Sequence, residues 1–399
     1  MQLIKKCEKY GNVLFYIAIL MHIAVMCEGF SVWESLPSGR LLQVAFVLCV
    51  LKIATTYYEK WEWAVMIVLG IIGTLSYCIS GEKFMIYLVV LIFAAKAVDA
   101  KMVTLLSFDG VWITTILLAI FSLTDNGGTV KMVQEFGRGM VETRYCLGFN
   151  HPNNLHGTLW YILCLWIILY KDRNDWRHYL VATIINIVLY VFTVSRTGVV
   201  VSELVIIAGF VYTYWNEKVF EKKITYYIGY VLTGIVLVIS LLAVTLKVDH
   251  YGPILSFINK CANGRLEWAN IGANISSWNA FLPGFSNAEQ VVDNGFARVP
   301  AAYGYVCAII FVAFFVWAIY KSSVKKTGIL LAVILTTVLY TFMESSYTVN
   351  DMFLLSNPVV IVAFCYLGRW GNKIKKVETD QVPDLVVQTP DPDVQQKEE

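Results

Sequence analysis

Charged side chains are scarce in this sequence. Only 15% of its 399 residues are Asp, Glu, Lys or Arg, whereas 58% are hydrophobic; the mean hydropathy is +0.63. Ordinary soluble domains contain about 25% charged residues, which keep their surface wetted. The composition therefore argues against a soluble fold, and the net charge of +2 gives no reason to expect a nucleic-acid partner.

The sequence also lacks the signatures of several enzyme classes. It contains no P-loop, no Gly-x-Ser-x-Gly nucleophile elbow and no His-Glu-x-x-His metal helix. Nine scattered cysteines, mostly within apolar runs, predict neither a disulfide framework nor a metal site. The Asp-x-Asp pattern at 391–393, which binds metal and sugar nucleotide in soluble glycosyltransferases, lies here in a polar tail and is given no weight. We therefore predict no cofactor.

Long apolar runs are present instead, and they predict membrane-spanning helices. Residues 227–246 contain no charge, and about 20 apolar residues cross a bilayer core as a helix. Only helices and closed barrels satisfy their backbone in lipid, and these runs are too long for barrel strands. We predict an all-α integral membrane protein with a transmembrane domain at 1–369 and a disordered cytoplasmic tail at 370–399. The twelve predicted spans are 11–27, 41–58, 63–80, 84–99, 110–123, 155–170, 179–194, 197–215, 226–246, 300–320, 328–343 and 351–367.

Lysine and arginine predict the side that each loop faces. With both termini in the cytoplasm, the inner segments contain twice as many Lys and Arg residues as the outer segments, in agreement with the positive-inside rule. Two outer segments, 124–154 and 247–299, are long, whereas the inner loops are short apart from the tail. Because loops commonly carry binding and catalytic groups, we expect the protein to act on its outer side.

Two polar segments precede predicted spans on the outer face. Residues 148–154 (GFNHPNN) contain His151 and Asn153, and suit either a helix cap or a polar pocket at the membrane surface. Residues 193–198 (TVSRTG) place Arg196 between the seventh and eighth spans. An arginine there either reaches the lipid head groups or has a specific partner. Because the eighth span starts outside, Arg196 and the helix N-terminus could together bind a phosphate.

The large outer loop and the turn after the eleventh span contain further polar residues. Arg265 lies in the sequence NGRLEW, and Asp293 and Asn294 lie in VDNGF, all within 247–299. Glu344 lies at the outer end of the eleventh span. Taken singly, these are the solvated loop charges and interfacial carboxylates of many membrane proteins. Their occurrence on one predicted face favours a shared site.

In this order, the segments resemble the Wzy-type polysaccharide polymerases, which are related to O-antigen ligases. The resemblance covers about 140–367. Where the ligases commonly have His-Asn, this chain has Asp293-Asn294, which favours a polymerase over a ligase. The segments that carry the resemblance are GFNHPN, SRTG, NGRLEWAN, LPGFS followed by VDNGFARVPAAYG, and MESSYTVNDMFLL.

The resemblance implies a reaction at the outer face of the bacterial cytoplasmic membrane. A growing glycan would be moved from undecaprenyl pyrophosphate onto the next lipid-linked repeat, without a metal. Arg196 and Arg265 would stabilise the leaving pyrophosphate. Asp293 would accept the proton of the attacking hydroxyl, with His151 as the alternative base. The residues expected to bind substrate are His151, Asn153, Asn294, Arg144 and Glu344.

Two other functions stay open at this stage. A flippase or transporter would often show paired repeats and mid-membrane ionisable residues, whereas the halves of this chain differ in outer-loop length. A ligase would transfer the glycan to a different acceptor. For the polymerase, the expected partners are the lipid-linked oligosaccharide, membrane lipids, and the flippase and chain-length regulator of the same pathway.

Overall fold

The chain is largely helical in the computed structural model. The predicted tail at 370–399, the LPGFS segment and most of MESSYTVNDMFLL lie outside the residues that the structure describes. The described residues are 2–25, 38–81, 83–124, 129–136, 139–215, 219, 222–262, 264–275, 292–345 and 358–368.

The described helices confirm the predicted helical class. Each predicted span overlaps one of them, and the short segment Val248–His250 forms a 3-10 turn. The helices are α1 (Gln2–Val25), α2 (Ser38–Ala54), α3 (Lys60–Ser80), α4 (Phe84–Ala94), α5 (Ala100–Ser122), α6 (Pro152–Tyr170), α7 (Trp176–Thr193), α8 (Arg196–Tyr214), α9 (Lys223–Thr245), α10 (Pro253–Cys261), α11 (Arg265–Ile275), α12 (Gly295–Tyr303), α13 (Tyr305–Lys325), α14 (Gly328–Met343) and α15 (Pro358–Leu367).

Six of the described helices are long and apolar enough to cross a membrane, namely α3, α5, α7, α8, α9 and α13. Helices α4 and α14 are apolar but shorter. Outward-facing apolar side chains such as Ile67 in α3, Val191 in α7 and Val231 in α9 are exposed. Contiguous exposed apolar surface is costly in water and suits lipid. The chain is therefore a multi-pass membrane protein.

The helix ends follow local sequence signals. The Asp175 side chain caps α7 by accepting hydrogen bonds from the backbone N–H groups of Arg177 and His178. Gly81 ends α3 in the left-handed conformation, which glycine adopts without strain. The predicted span at 300–320 is broken at Gly304, whose φ of 85° separates α12 from α13. Hydropathy does not reveal such a break, because the residues on both sides are apolar.

A two-stranded antiparallel hairpin lies in the segment 124–154, which was predicted to face outside and to contain no strand. Strand β1 (Lys131–Glu135) pairs with strand β2 (Val141–Tyr145), with Val133 opposite Thr143. The hairpin contacts α7 through β2. It precedes α6 and thereby brings Arg144 towards the start of that helix.

Helix α6 forms the centre of the core. It packs against α5, α7, α8, α14 and α15, and Trp160, Cys164 and Ile167 along it are fully buried. Its first turn therefore lies among several helix ends. These ends carry most of the predicted site residues.

A second buried feature joins α3 to the end of α4. Lys96 donates hydrogen bonds to both oxygens of Glu62, at 2.7 and 2.6 Å. Both side chains are almost completely buried, and the Lys96 ammonium lies 4.7 Å from the centre of the Tyr58 ring. The pair satisfies two charges that would be costly to bury singly.

Candidate functional site

Glu344 is the centre of a polar cluster at the end of α14. Its Oε1 atom accepts a hydrogen bond from Arg265 Nη2 at 2.7 Å and another from Asn153 Nδ2 at 3.0 Å. Arg265 begins α11 and Asn153 lies in the first turn of α6. Three of the predicted site residues are therefore joined directly, although they lie far apart in the sequence.

Asp293 and Asn294 border the same cluster at the start of α12. The charge of Asp293 acts on both Arg265 and Glu344, so its carboxylate lies near the ion pair. Asn294 caps α12 by accepting from Ala297 N–H at 3.1 Å, and donates to Ser240 Oγ at 3.0 Å. The Asn294 side chain therefore uses both its amide oxygen and its amide nitrogen in contacts that stabilise the start of α12.

The start of α12 is packed tightly against the end of α14. A Cβ atom added to Gly295 would lie 2.8 Å from the carbonyl oxygen of Thr341 and 3.3 Å from that of Glu344. Only glycine allows this approach without displacing the backbone of α14. The glycine after Asp293-Asn294 therefore allows the start of α12 to lie against the end of α14, which carries Glu344.

The guanidinium of Arg265 is bonded to Glu344 through one nitrogen, but another nitrogen lacks a hydrogen-bond acceptor in the described structure. Burial alone would lower the pKa of Arg265, but the negative charges around it, Glu344 first and then Asp293, together outweigh burial and raise it. Burial raises the pKa of the Glu344 carboxyl, and Arg265 opposes that shift. Within the described part of the chain, Arg265 Nη1 is buried without a hydrogen-bond partner. A buried, unpaired donor costs about 1–3 kcal/mol, and a ligand oxygen would satisfy it.

His151 and Arg144 connect the hairpin to α6. His151 caps α6, because its Nδ1 atom accepts from Asn153 N–H at 3.2 Å. Arg144 is paired with Glu142 at 2.7 Å, and its guanidinium lies 3.7 Å from the centre of the Phe136 ring. That ring in turn meets the His151 ring edge to face, with centroids 6.0 Å apart.

The environment of His151 weakens it as a base. Burial, helped by the positive charges of Arg144 and Arg265, lowers its pKa to about 4. With Nδ1 occupied as an acceptor, the neutral ring carries its proton on Nε2. His151 is therefore a neutral hydrogen-bond donor at neutral pH, and the assignment of Asp293 as the base stays a prediction.

Arg196 stands apart from this cluster. It begins α8 and is exposed, and in the described structure no hydrogen bond or ion pair joins it to the other predicted residues. The turn that carries it is fastened to α6, because His156 Nδ1 lies 2.9 Å from Thr193 Oγ1. A Cβ on Gly198 would lie 2.5 Å from the His156 ring, so glycine is needed there.

A buried polar network continues from His156 into α7 and α8, and sequence reasoning missed it. His156 Nε2 lies 2.9 Å from Asn186 Oδ1. The Asn186 amide donates to Val199 O and to Glu203 Oε2, each at 3.0 Å, and Thr183 donates to Glu203 Oε1 at 2.9 Å. The network ties the turn of Arg196 to the helix of Asn153.

Tyr340 was also missed, because a tyrosine inside an apolar span is expected to be an ordinary core residue. It is buried one turn before Glu344, and its ring stacks on Trp160 with centroids 4.9 Å apart. A Cβ on Gly157 would overlap the Tyr340 hydroxyl. Helices α6 and α14 are thus locked together directly beside the polar cluster.

Comparisons with protein-family models, with curated proteins and with solved structures find no match. The functional reading of the site therefore rests on its residues and geometry.

Proposed function

We propose that this chain polymerises lipid-linked oligosaccharide repeats at the outer face of the bacterial cytoplasmic membrane, as a metal-independent glycosyltransferase of capsule or exopolysaccharide. The proposed topology has twelve spans and both termini in the cytoplasm. The proposed partners are the undecaprenyl-pyrophosphate-linked repeat, the surrounding lipids, and a flippase and a chain-length regulator of the same pathway.

The observation that supports the proposal is the buried, unpaired Nη1 of Arg265 within a cluster built from three separate segments of the chain. Glu344 holds one side of the guanidinium through Nη2, which leaves Nη1 for a ligand. Arginine suits phosphate oxygens because it is permanently charged and donates several hydrogen bonds. A pyrophosphate leaving group would supply the missing acceptor.

The neighbouring residues suit the remaining steps. Asp293 would accept the proton of the attacking sugar hydroxyl as that oxygen forms the new glycosidic bond. The bond between the donor sugar and its pyrophosphate breaks, and the leaving charge is stabilised by Arg265. Arg196, exposed at the head of α8, would add a second cation. His151 would donate from Nε2 to a sugar or phosphate oxygen.

Arg265→Lys is the sharpest test. Lysine retains the charge facing Glu344, but its three N–H groups share one nitrogen and cannot reproduce the planar fork that holds Glu344 through one nitrogen and offers another to a phosphate. We expect a strain with this variant to lose long polymer and to accumulate lipid-linked single repeats on the outer face. Arg196→Ala and Asp293→Asn should give the same products. Lys131→Ala, on the exposed hairpin, is the control and should leave chain length unchanged.

Membrane abundance and thermal unfolding of each variant separate lost chemistry from lost folding. Normal chain lengths in well-folded Arg265→Lys and Asp293→Asn variants would refute the proposal. Accumulation of repeats on the inner face would indicate a flippase, and normal polymer that fails to reach its acceptor would indicate a ligase.

A further inference from the structure

Helix α10 turns an apolar stripe away from the protein. Ile254 and Phe257 are 78% and 68% exposed, and Cys261 is also exposed. Spacings of three and four residues place these side chains on one face of a helix. Leu255, on a different face, is buried. The helix thus has one apolar face for the protein and another without a protein partner in the described structure.

The buried face of α10 is attached to the end of a long apolar helix. Leu255 packs with Ala243 of α9 and with Leu266. The Tyr251 hydroxyl donates to the carbonyl oxygens of Ala243 and Leu266, at 3.0 and 3.3 Å. Since Ala243 lies in the last turn of α9, α10 lies level with the end of a helix that is long enough to cross a membrane.

The exposed stripe continues a lipid-facing surface. Leu241 and Leu242, immediately before Ala243, are exposed on α9. Lys247 lies exposed before α10 and Lys260 lies exposed in its last turn, where ammonium groups can meet lipid phosphates. Short amphipathic helices with basic flanks lie in the membrane interface with their apolar face among the acyl chains.

We infer that α10 lies in the head-group layer of the bilayer that α9 crosses, with Ile254 and Phe257 inserted among the upper acyl chains. Its partner is a phospholipid surface. This membrane contact does not depend on the proposed reaction.

The contact would also set the depth of Arg265. Asn259 of α10 caps α11, because its Oδ1 accepts from the N–H groups of Leu266 and Glu267 at 3.1 and 3.2 Å. Arg265 is the first residue of α11. A helix held in the head-group layer therefore holds Arg265 close to the level of lipid phosphates. This consequence, unlike the contact itself, rests on the proposed function.

A nitroxide on the native Cys261 tests the contact. The full chain, with Cys7, Cys27 and Cys78 replaced by Ser, is placed in nanodiscs of phosphatidylethanolamine and phosphatidylglycerol. Collision of the label with oxygen, which concentrates in lipid, is compared with collision with a water-soluble nickel chelate. The matched control carries the label at Ser256→Cys, on the opposite face of α10, with Cys261→Ser.

We expect the oxygen-to-nickel collision ratio at Cys261 to exceed that of the control several-fold. Adding Ile254→Glu and Phe257→Glu should lower it to the control value. Equal ratios at the two sites would place α10 in water and overturn the inference. A label shielded from both reagents, together with cross-linked dimers, would assign the face to a second copy and also overturn it. Because no sugar substrate is present, failure here is distinct from failure of the proposed function.

Discussion

The Arg265–Glu344 pair provides a quantitative test of how the site is held together. Two unit charges 2.7 Å apart attract by about 6 kcal/mol at an effective dielectric of 20. The side chains are only 16% and 9% exposed, so water screens the pair little. Desolvation opposes much of this attraction, but removing one partner leaves a buried charge and typically costs about 3–5 kcal/mol.

Glu344→Gln should therefore lower the free energy of unfolding by about 3 kcal/mol, near the lower end of that range, because Asp293 still faces Arg265. Arg265→Met should cost a similar amount. The double variant should lose about 2 kcal/mol less than the sum of the two, since neither charge is then left alone. Unfolding of the purified protein in mixed detergent micelles measures all three differences.

A matched substitution in an exposed pair provides the control. Lys171 and Asp172 lie 3.9 Å apart with the Asp172 side chain 78% exposed, so Asp172→Asn should leave stability unchanged within error. Additive losses in the double variant, or a loss below about 1 kcal/mol for Glu344→Gln, would refute the claim that the pair is a buried, coupled unit.

Two further outcomes follow from the helix ends around the site. Burial lowers the pKa of His151 to about 4, below its ordinary 6.5. The free energy of unfolding should therefore fall by up to about 3 kcal/mol as the pH drops from 6.5 to about 4. The variant His151→Asn, which keeps the helix cap, should remove that part of the pH dependence. Gly198→Ala should cost about 2 kcal/mol of unfolding free energy by displacing the His156 ring. The control Gly234→Ala, at a position with open space around it, should not destabilise the protein. Melting curves distinguish the two variants, and equal melting temperatures would contradict the close contact between Gly198 and His156.

The sequence predicted where the helices lie but not how their ends are organised. Apolar length locates α7 within a few residues of its predicted bounds, because burial in lipid depends on composition. The hairpin was missed because β1 and β2 are charged and mostly exposed, so they lack the alternation that marks a strand. The break at Gly304 was missed because it depends on one backbone torsion.

For the candidate site, too, the sequence predicted the residues but not the contacts between them. Residue type and predicted sidedness were enough to select Arg265, Asp293, Asn153 and Glu344, which the structure brings together. That Glu344 is the common acceptor depends on tertiary packing and left no sequence signal. The link from His156 to Glu203 was invisible for the same reason, because its members are spread over three apolar helices, α6, α7 and α8. The catalytic roles of these residues stay predictions.

The Lys96–Glu62 pair has a consequence for how the chain enters its membrane. Glu62 lies in the first turn of α3 and Lys96 just after the end of α4. A helix that partitions alone would carry its charge into the membrane unpaired, at a cost below the roughly 2.5–3.5 kcal/mol of the bilayer centre. Helices α3 and α4 pack together along the chain, so the two charges can neutralise each other as soon as both helices have emerged from the ribosome. Entry of α3 and α4 as one hairpin would avoid the cost, and the order of synthesis would then be part of the folding pathway.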